Sequence, residues 1–168
     1  MIEVLLGRRK INHLVEPYII AEIGVNHGGS MRLAKKMIYL AKKGGADAAK
    51  FQSYKAETIA SKNSPAYWDT KKEHTKSQFA LFKKYDGFTK EDYKKLSSYC
   101  KKIKIDFIST PFDHNAVDYL NPLVSFFKVS SSDITNIPLL QKISTKRKPI
   151  ILSTGASSII EIKNALKV

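Results

Sequence analysis

Five short apolar runs in this chain each end in polar groups that a buried strand does not choose for packing. The first closes on Glu22, followed by Asn26 and His27. The second carries Lys50 and Gln52, the third Ser109 and Thr110. The fourth carries Lys128, then Ser130, Ser131 and Asp133, and the fifth closes on Ser153-Thr154-Gly155. An unpaired ammonium in an apolar strand is costly, so Lys50 and Lys128 call for an anion, either a nearby carboxylate or a bound phosphate or carboxylate. The hydroxyls of Ser109, Thr110, Ser131, Ser153 and Thr154, with helix N-termini just beyond, complete a cradle for a polyanion. Glu22 and Asp133 supply carboxylates for moving protons or gripping sugar hydroxyls. For Lys50, a structural bridge to Glu22 stands as an equally open alternative. His27 reads as a loop hydrogen-bonder, and Tyr67 and Trp68 as packing anchors of a loop. His13, His74 and His114 show no ligand spacing, so no metal site is assigned within the chain.

The elements that must position these groups alternate. The runs at 18–23, 46–52, 105–110, 124–129 and 149–154 predict strands, with Pro111 stopping the third. Helical spacing predicts helices over 31–43, 89–103, 113–120, 137–144 and from 157 onward. Ser30, Thr89 (with Asp92 in a capping-box arrangement) and Asp113 stand at N-termini, and Gly44-Gly45 at a C-terminus. A polar excursion over 53–87, with a helical turn or two near 77–84, is long enough to expect function from it. Strand–helix alternation with near-continuous apolar strands means a parallel sheet covered by helices. Both an open doubly wound sheet and a (β/α)8 barrel fit, and in either the C-terminal rim of the strands is where a site is built. Gly24, Gly28 and Gly29 do not form the dinucleotide fingerprint.

Composition narrows the function class. The 168 residues suit one domain, and 43% hydrophobic with 26% charged residues is an ordinary globular balance. The stretch 1–10 has a short apolar run before Arg8-Arg9-Lys10, the reverse of a secretory signal, and no run is long enough to span a membrane. The lone Cys100 fits a reducing cytoplasm. The net charge of +14 is carried almost wholly by lysine, with arginine only at 8, 9, 32 and 147. That disfavours nucleic-acid recognition and points to a solvated basic surface.

The motifs Ala-Glu22-Ile-Gly-Val-Asn26-His27-Gly-Gly, Lys50-Phe-Gln52, Ser109-Thr-Pro-Phe-Asp113, Phe-Lys128-Val-Ser-Ser131-Ser-Asp133 and Leu-Ser153-Thr-Gly155 together resemble the N-acetylneuraminate (sialic acid) synthase family, in order and spacing from about Tyr18 onward. The resemblance implies a parallel α/β fold of the (β/α)8 TIM-barrel type, with about five of its eight βα units in residues 1–168. The later strands and a small antifreeze-like C-terminal domain are then expected outside this stretch. It implies condensation of phosphoenolpyruvate with N-acetylmannosamine or a related amino-sugar aldehyde, with release of phosphate. By position, Lys50, Thr110, Lys128, Ser131 and Ser153 would hold phosphoenolpyruvate, and Gln52, Phe112 and Asp133 would face the sugar. Glu22, Lys50 and Lys128 would stand at the reacting atoms. A divalent metal (Mn or Mg) is implied, with its ligands expected beyond residue 168, as is a homodimer of the full-length enzyme. Asp133 departs from the glutamate common in the family, which shortens its reach by one methylene. Related synthases of 3-deoxy sugar acids, and a non-catalytic anion-binding fragment, are the competing expectations.

Overall fold

The computed structural model describes residues 3–168. A short antiparallel hairpin, β1 (Val4–Leu6) and β2 (Arg9–Ile11), precedes five parallel strands: β3 (Ile20–Gly24), β4 (Ala48–Ser53), β5 (Asp106–Pro111), β6 (Phe127–Val129) and β7 (Ile150–Leu152). One continuous ladder joins β3, β4 and β5, a second joins β6 and β7, and β5 lies alongside β6. Spatial order therefore follows chain order throughout. A doubly wound sheet reverses its order at a switch point, whereas a wound barrel does not. The fold is an open arc of the (β/α)8 type, incomplete as a barrel among the described residues.

Five helices cover the outer face: α1 (Met31–Lys43), α4 (Lys90–Lys102), α5 (His114–Leu120), α6 (Ile137–Ser144) and α7 (Ile159–Ala165). Their starts are set by side-chain caps. Ser30 accepts from the Leu33 amide and Asp113 from the Ala116 amide, while Thr89 with Asp92 and Ser158 with Glu161 form full capping boxes. The last helix thus starts two residues later than expected, at Ile159.

Side chains alternate across each strand, so every strand feeds two layers. The outward residues Ala49, Phe51, Phe107, Phe127 and Val129 pack under the helices against Ile38, Leu96, Val117, Leu120 and Ile143. The inward residues Ile20, Ala48, Ile108 and Ile151 pack on the concave face with Leu6, Tyr18 and Phe126. That inner apolar layer sits near the strand starts and leaves the strand ends to the polar groups.

The hairpin is absent from the sequence-based expectation, and tertiary contacts explain its presence. Gly7 makes the turn at φ +56°, and Arg9 reaches the Asp47 carboxylate at 2.8 Å. Asp106 takes the Tyr18 hydroxyl at 2.6 Å and the Arg8 amide at 3.3 Å. Asp47 and Asp106 stand where β4 and β5 begin, so the hairpin is fastened at the end of the arc opposite the polar rim. Met1 and Ile2, part of the N-terminal stretch weighed against a secretory signal, lie outside the described residues.

The third strand stops at Pro111 as expected, with the proline itself as its last residue: Pro111 ends β5 in register with Ser53, and its missing N–H removes no bond from the β4 ladder, since the Phe112 amide makes the next one to Ser53 at 3.1 Å. β6 and β7 are shorter than expected: β6 begins three residues later, at Phe127, and β7 ends two residues earlier, at Leu152. The excursion holds two helices, α2 (Ala56–Ile59) and α3 (Gln78–Tyr85).

Candidate active site at the strand ends

Strand parity decides which polar residues meet. Glu22, Lys50, Gln52, Thr110 and Ser153 each lie two or four residues beyond an inward apolar side chain, so they share the concave face. Lys128 joins them, because its neighbours Phe127 and Val129 both pack outward. Ser109 has the opposite parity. It is fully buried under the helices and bonds Ser53 at 2.7 Å, which removes it from the expected cradle. Thr154 is exposed beyond the end of β7, and Ser130 accepts from the Ser132 amide in its own turn.

On the concave face the Lys50 ammonium sits 2.5 Å from Glu22, with the lysine side chain 8% exposed and the glutamate 60%. The pair anticipated as a structural bridge therefore exists. Its carboxylate is nonetheless solvent-accessible, so Glu22 remains available to a reacting group. Lys128 donates to Ser153 Oγ at 2.6 Å and to its neighbour's carbonyl, Val129 O, at 2.8 Å. Burial pushes the Lys128 ammonium below the usual lysine range, the nearby Lys50 pushes it further, and Glu22 opposes both. Two ammonium groups close enough to repel each other on one concave face are an arrangement that an anion would relieve. Thr110 on the same face is buried, and its hydroxyl has no hydrogen-bond partner among the described residues. Ser131 lies on a 3-10 turn (Ser131–Asp133) just past β6, its hydroxyl beside Gly155, where a Cβ would come within 3.5 Å.

A cavity of about 480 Å³ adjoins these groups and brings Gln52, Phe112 and Asp133 together. Burial raises the Asp133 carboxyl above its ordinary value, against weak hydrogen bonds from Asn136 and Ser132. The excursion supplies the opposite wall, through Tyr54, Thr58, Ile59, Tyr67, Gln78 and Phe82. The two neighbouring aromatics expected as packing anchors divide their roles. Trp68 Nε1 donates to the Glu73 and Thr75 carbonyls, whereas Tyr67 is 77% exposed and lines the cavity. Sequence reasoning named neither Gln78 nor Asn136 as a site residue. A signal existed for the first: Gln78 and Phe82 lie four apart on α3 and so share a face.

His27 is buried, stacks on Phe88 at 4.1 Å between ring centroids, and accepts from the Gly29 amide through Nδ1. Burial lowers its pKa, and its place is in the packing of the loop. Among the described residues, no group of three or more His, Cys, Asp or Glu side chains is arranged to hold a metal ion. No helix of the described residues is long and apolar enough to cross a membrane.

The profile of the NeuB family matches residues 37–168. An N,N'-diacetyllegionaminic acid synthase of Campylobacter jejuni is 46% identical over 153 residues, which cover 89% of this chain and 46% of that protein. An N-acetylneuraminate-9-phosphate synthase of Mus musculus is 38% identical over 152 residues, 90% of this chain and 42% of that one. The crystal structure of an N-acetylneuraminic acid (sialic acid) synthetase from Leptospira borgpetersenii superposes with a TM-score of 0.85 at 36% identity, over 98% of this chain and 54% of that one. The chain spans about half the length of the curated relatives it matches. It belongs to the NeuB family, whose similar members are synthases of sialic acid and related nonulosonates.

Proposed function

We propose that this chain carries the phosphoenolpyruvate and amino-sugar sites of a nonulosonate synthase. The observation that supports it most is the buried, partner-free hydroxyl of Thr110 between two ammonium-bearing strands, beside a cavity rich in neutral hydrogen-bonding groups. Lys50, Lys128, Thr110, Ser131 and Ser153 hold the phosphate and carboxylate of phosphoenolpyruvate. Cations fixed in place before the reaction stabilise charge with little reorganisation, which is a large catalytic term. Gln52, Phe112 and Asp133 face the sugar aldehyde and fix its approach.

In the reaction, C3 of phosphoenolpyruvate bonds to the aldehyde carbon, whose oxygen takes a proton to become a hydroxyl. Water adds to the resulting cationic C2 and loses a proton. The tetrahedral C2 then expels phosphate to leave a ketone. Glu22, exposed and held by Lys50, is placed to stabilise the cationic C2 or take the proton from water. The divalent metal that the resemblance implies does not fit a ligand set among the described residues, and the roles given to them do not pass through it.

The test is coupled phosphate release from phosphoenolpyruvate by the full chain, with and without N-acetylmannosamine and manganese, for wild type and Lys50→Met. Sugar-dependent release that the variant loses supports the proposal. Release that Lys50→Met leaves unchanged refutes the role of this face.

A further inference from the structure

We infer that Tyr93, buried under the helical layer, is a positioning residue that holds Gln52 in place for the sugar from the opposite side of the sheet. This rests on the function proposed above and adds to it a residue that touches no ligand.

Gln52 stands at the least supported point of the central ladder. Two residues earlier, Lys50 is in register with Glu22 of β3 on one side and with Ile108 of β5 on the other. Gln52 is in register with Thr110 of β5 alone. The β3 register shifts between Glu22 and Gly24 and ends opposite Phe51, with Gly24 at φ +58°. Beyond it the chain turns back, the Asn26 amide donating to the Ile23 carbonyl at 3.1 Å. β4 thus runs on past its neighbour, and the Gln52 side chain lies beside the break: a Cβ on Gly24 would meet its Nε2 at 4.0 Å. A strand end paired on one side only is free to shift, and with it the carboxamide that lines the cavity.

Tyr93 supplies the second hold. Its hydroxyl donates to the Gln52 carbonyl at 2.7 Å, so a carbonyl beyond the β3 register is satisfied from α4. The ring is itself fixed. It is 5% exposed, the Phe88 and Tyr119 ring centroids lie 5.9 and 5.8 Å away, and the Thr89–Asp92 capping box sets the start of its helix. Burial raises the phenol well above its ordinary value, so the hydroxyl stays a donor at any working pH. Phe88 and Phe107 fill the same layer without a polar atom. The Tyr93 hydroxyl is directed instead at the backbone of a residue whose side chain faces the cavity.

The experiment titrates the full chain by calorimetry with phosphoenolpyruvate and then, with phosphoenolpyruvate saturating, with N-acetylmannosamine. It compares wild type, Tyr93→Phe and Ser109→Ala. Tyr93→Phe keeps the ring and removes the bond to Gln52. It should weaken sugar binding by roughly 3- to 10-fold, the worth of one neutral hydrogen bond. Phosphoenolpyruvate affinity should be unchanged, because Lys50 keeps both of its strand neighbours. Ser109→Ala removes another buried hydroxyl of this layer, one bonded to Ser53, and should lower stability with both affinities unchanged. A sugar affinity that Tyr93→Phe leaves intact, a parallel loss of both affinities, or an equal sugar loss in Ser109→Ala overturns the inference. So does a wild type that binds phosphoenolpyruvate but not the sugar. A phosphoenolpyruvate affinity indifferent to Lys50→Met would instead strike the proposed function, which keeps the two failures apart.

Discussion

Replacing Gly7 with alanine tests how the hairpin is fastened beneath the arc. The backbone there has φ +56°, a conformation that a residue with a Cβ adopts at a penalty of about 1–2 kcal/mol. The new Cβ would also fall 1.6 Å from Asp106 Oδ2, so the carboxylate must move away. That movement sacrifices the 2.6 Å bond from Tyr18, a hydrogen bond to a charged group of about 1.5–3 kcal/mol. The Arg8 pair adds little, because the arginine is half exposed. Together Gly7→Ala should destabilise by about 3–5 kcal/mol, a large share of a typical folding free energy of about 5–15 kcal/mol. Urea denaturation followed by circular dichroism should show the midpoint falling by roughly 1.5–2.5 M for a slope of about 2 kcal/mol/M. In an Asp106→Ala background the same change should cost only the backbone part, about 1–2 kcal/mol, leaving a coupling of roughly 2–3 kcal/mol. A loss below about 1 kcal/mol, or an equal loss in both backgrounds, would refute this account of the hairpin.

Other predictions follow from the two faces of β5 and from Lys128. Thr110→Val removes a buried hydroxyl that has no partner, so it should raise the stability of the ligand-free protein by about 1–3 kcal/mol and weaken phosphoenolpyruvate binding. Ser109→Ala removes the hydroxyl that bonds Ser53 and should cost about 0.5–1.5 kcal/mol of stability, with binding unchanged. Denaturation and calorimetry on the pair check both. Lys128 has its pKa lowered in the folded state, so between that value and the ordinary lysine value the unfolded chain holds the extra proton, and stability from this residue rises with pH. Anion binding runs the other way, because the ligand favours the ammonium. Affinity should be full below the lowered pKa and fall as pH rises through it, with proton uptake on binding, read by calorimetry in buffers of different ionisation enthalpy. Affinity that is flat until the ordinary lysine range is reached would contradict the placement of Lys128.

Much of the site was legible because burying a charge is expensive: Lys50 and Lys128 stand out in apolar strands without any coordinates. The C-terminal rim follows from the parallel architecture once strands and helices are seen to alternate. Parity was the clue left unused. Ser109 and Thr110 are adjacent in the chain and chemically alike, yet the two-residue period sends one under the helices and the other to the site. The hairpin was less accessible, since three-residue strands with a Gly-Arg turn carry little local signal. Its stability comes from Asp47 and Asp106, about 40 and 100 residues along the chain. The cavity wall was hidden for a related reason. The excursion folds by contacts such as Lys83 with Glu57 and Thr58 with Asp113, which bring Tyr67, Gln78 and Phe82 over the strand ends. No periodicity encodes that return.

The most direct measurement is a calorimetric titration of phosphoenolpyruvate into the full chain, wild type against Lys128→Met, which keeps the aliphatic stem and removes the ammonium. Loss of one charge-assisted contact of about 1.5–3 kcal/mol predicts a dissociation constant roughly 10- to 150-fold weaker. Stability should change little, because the lost bonds to Ser153 and Val129 are offset by relief of a partly desolvated charge beside Lys50. Equal affinity in the two proteins would contradict the claim that the strand ends form the phosphoenolpyruvate site.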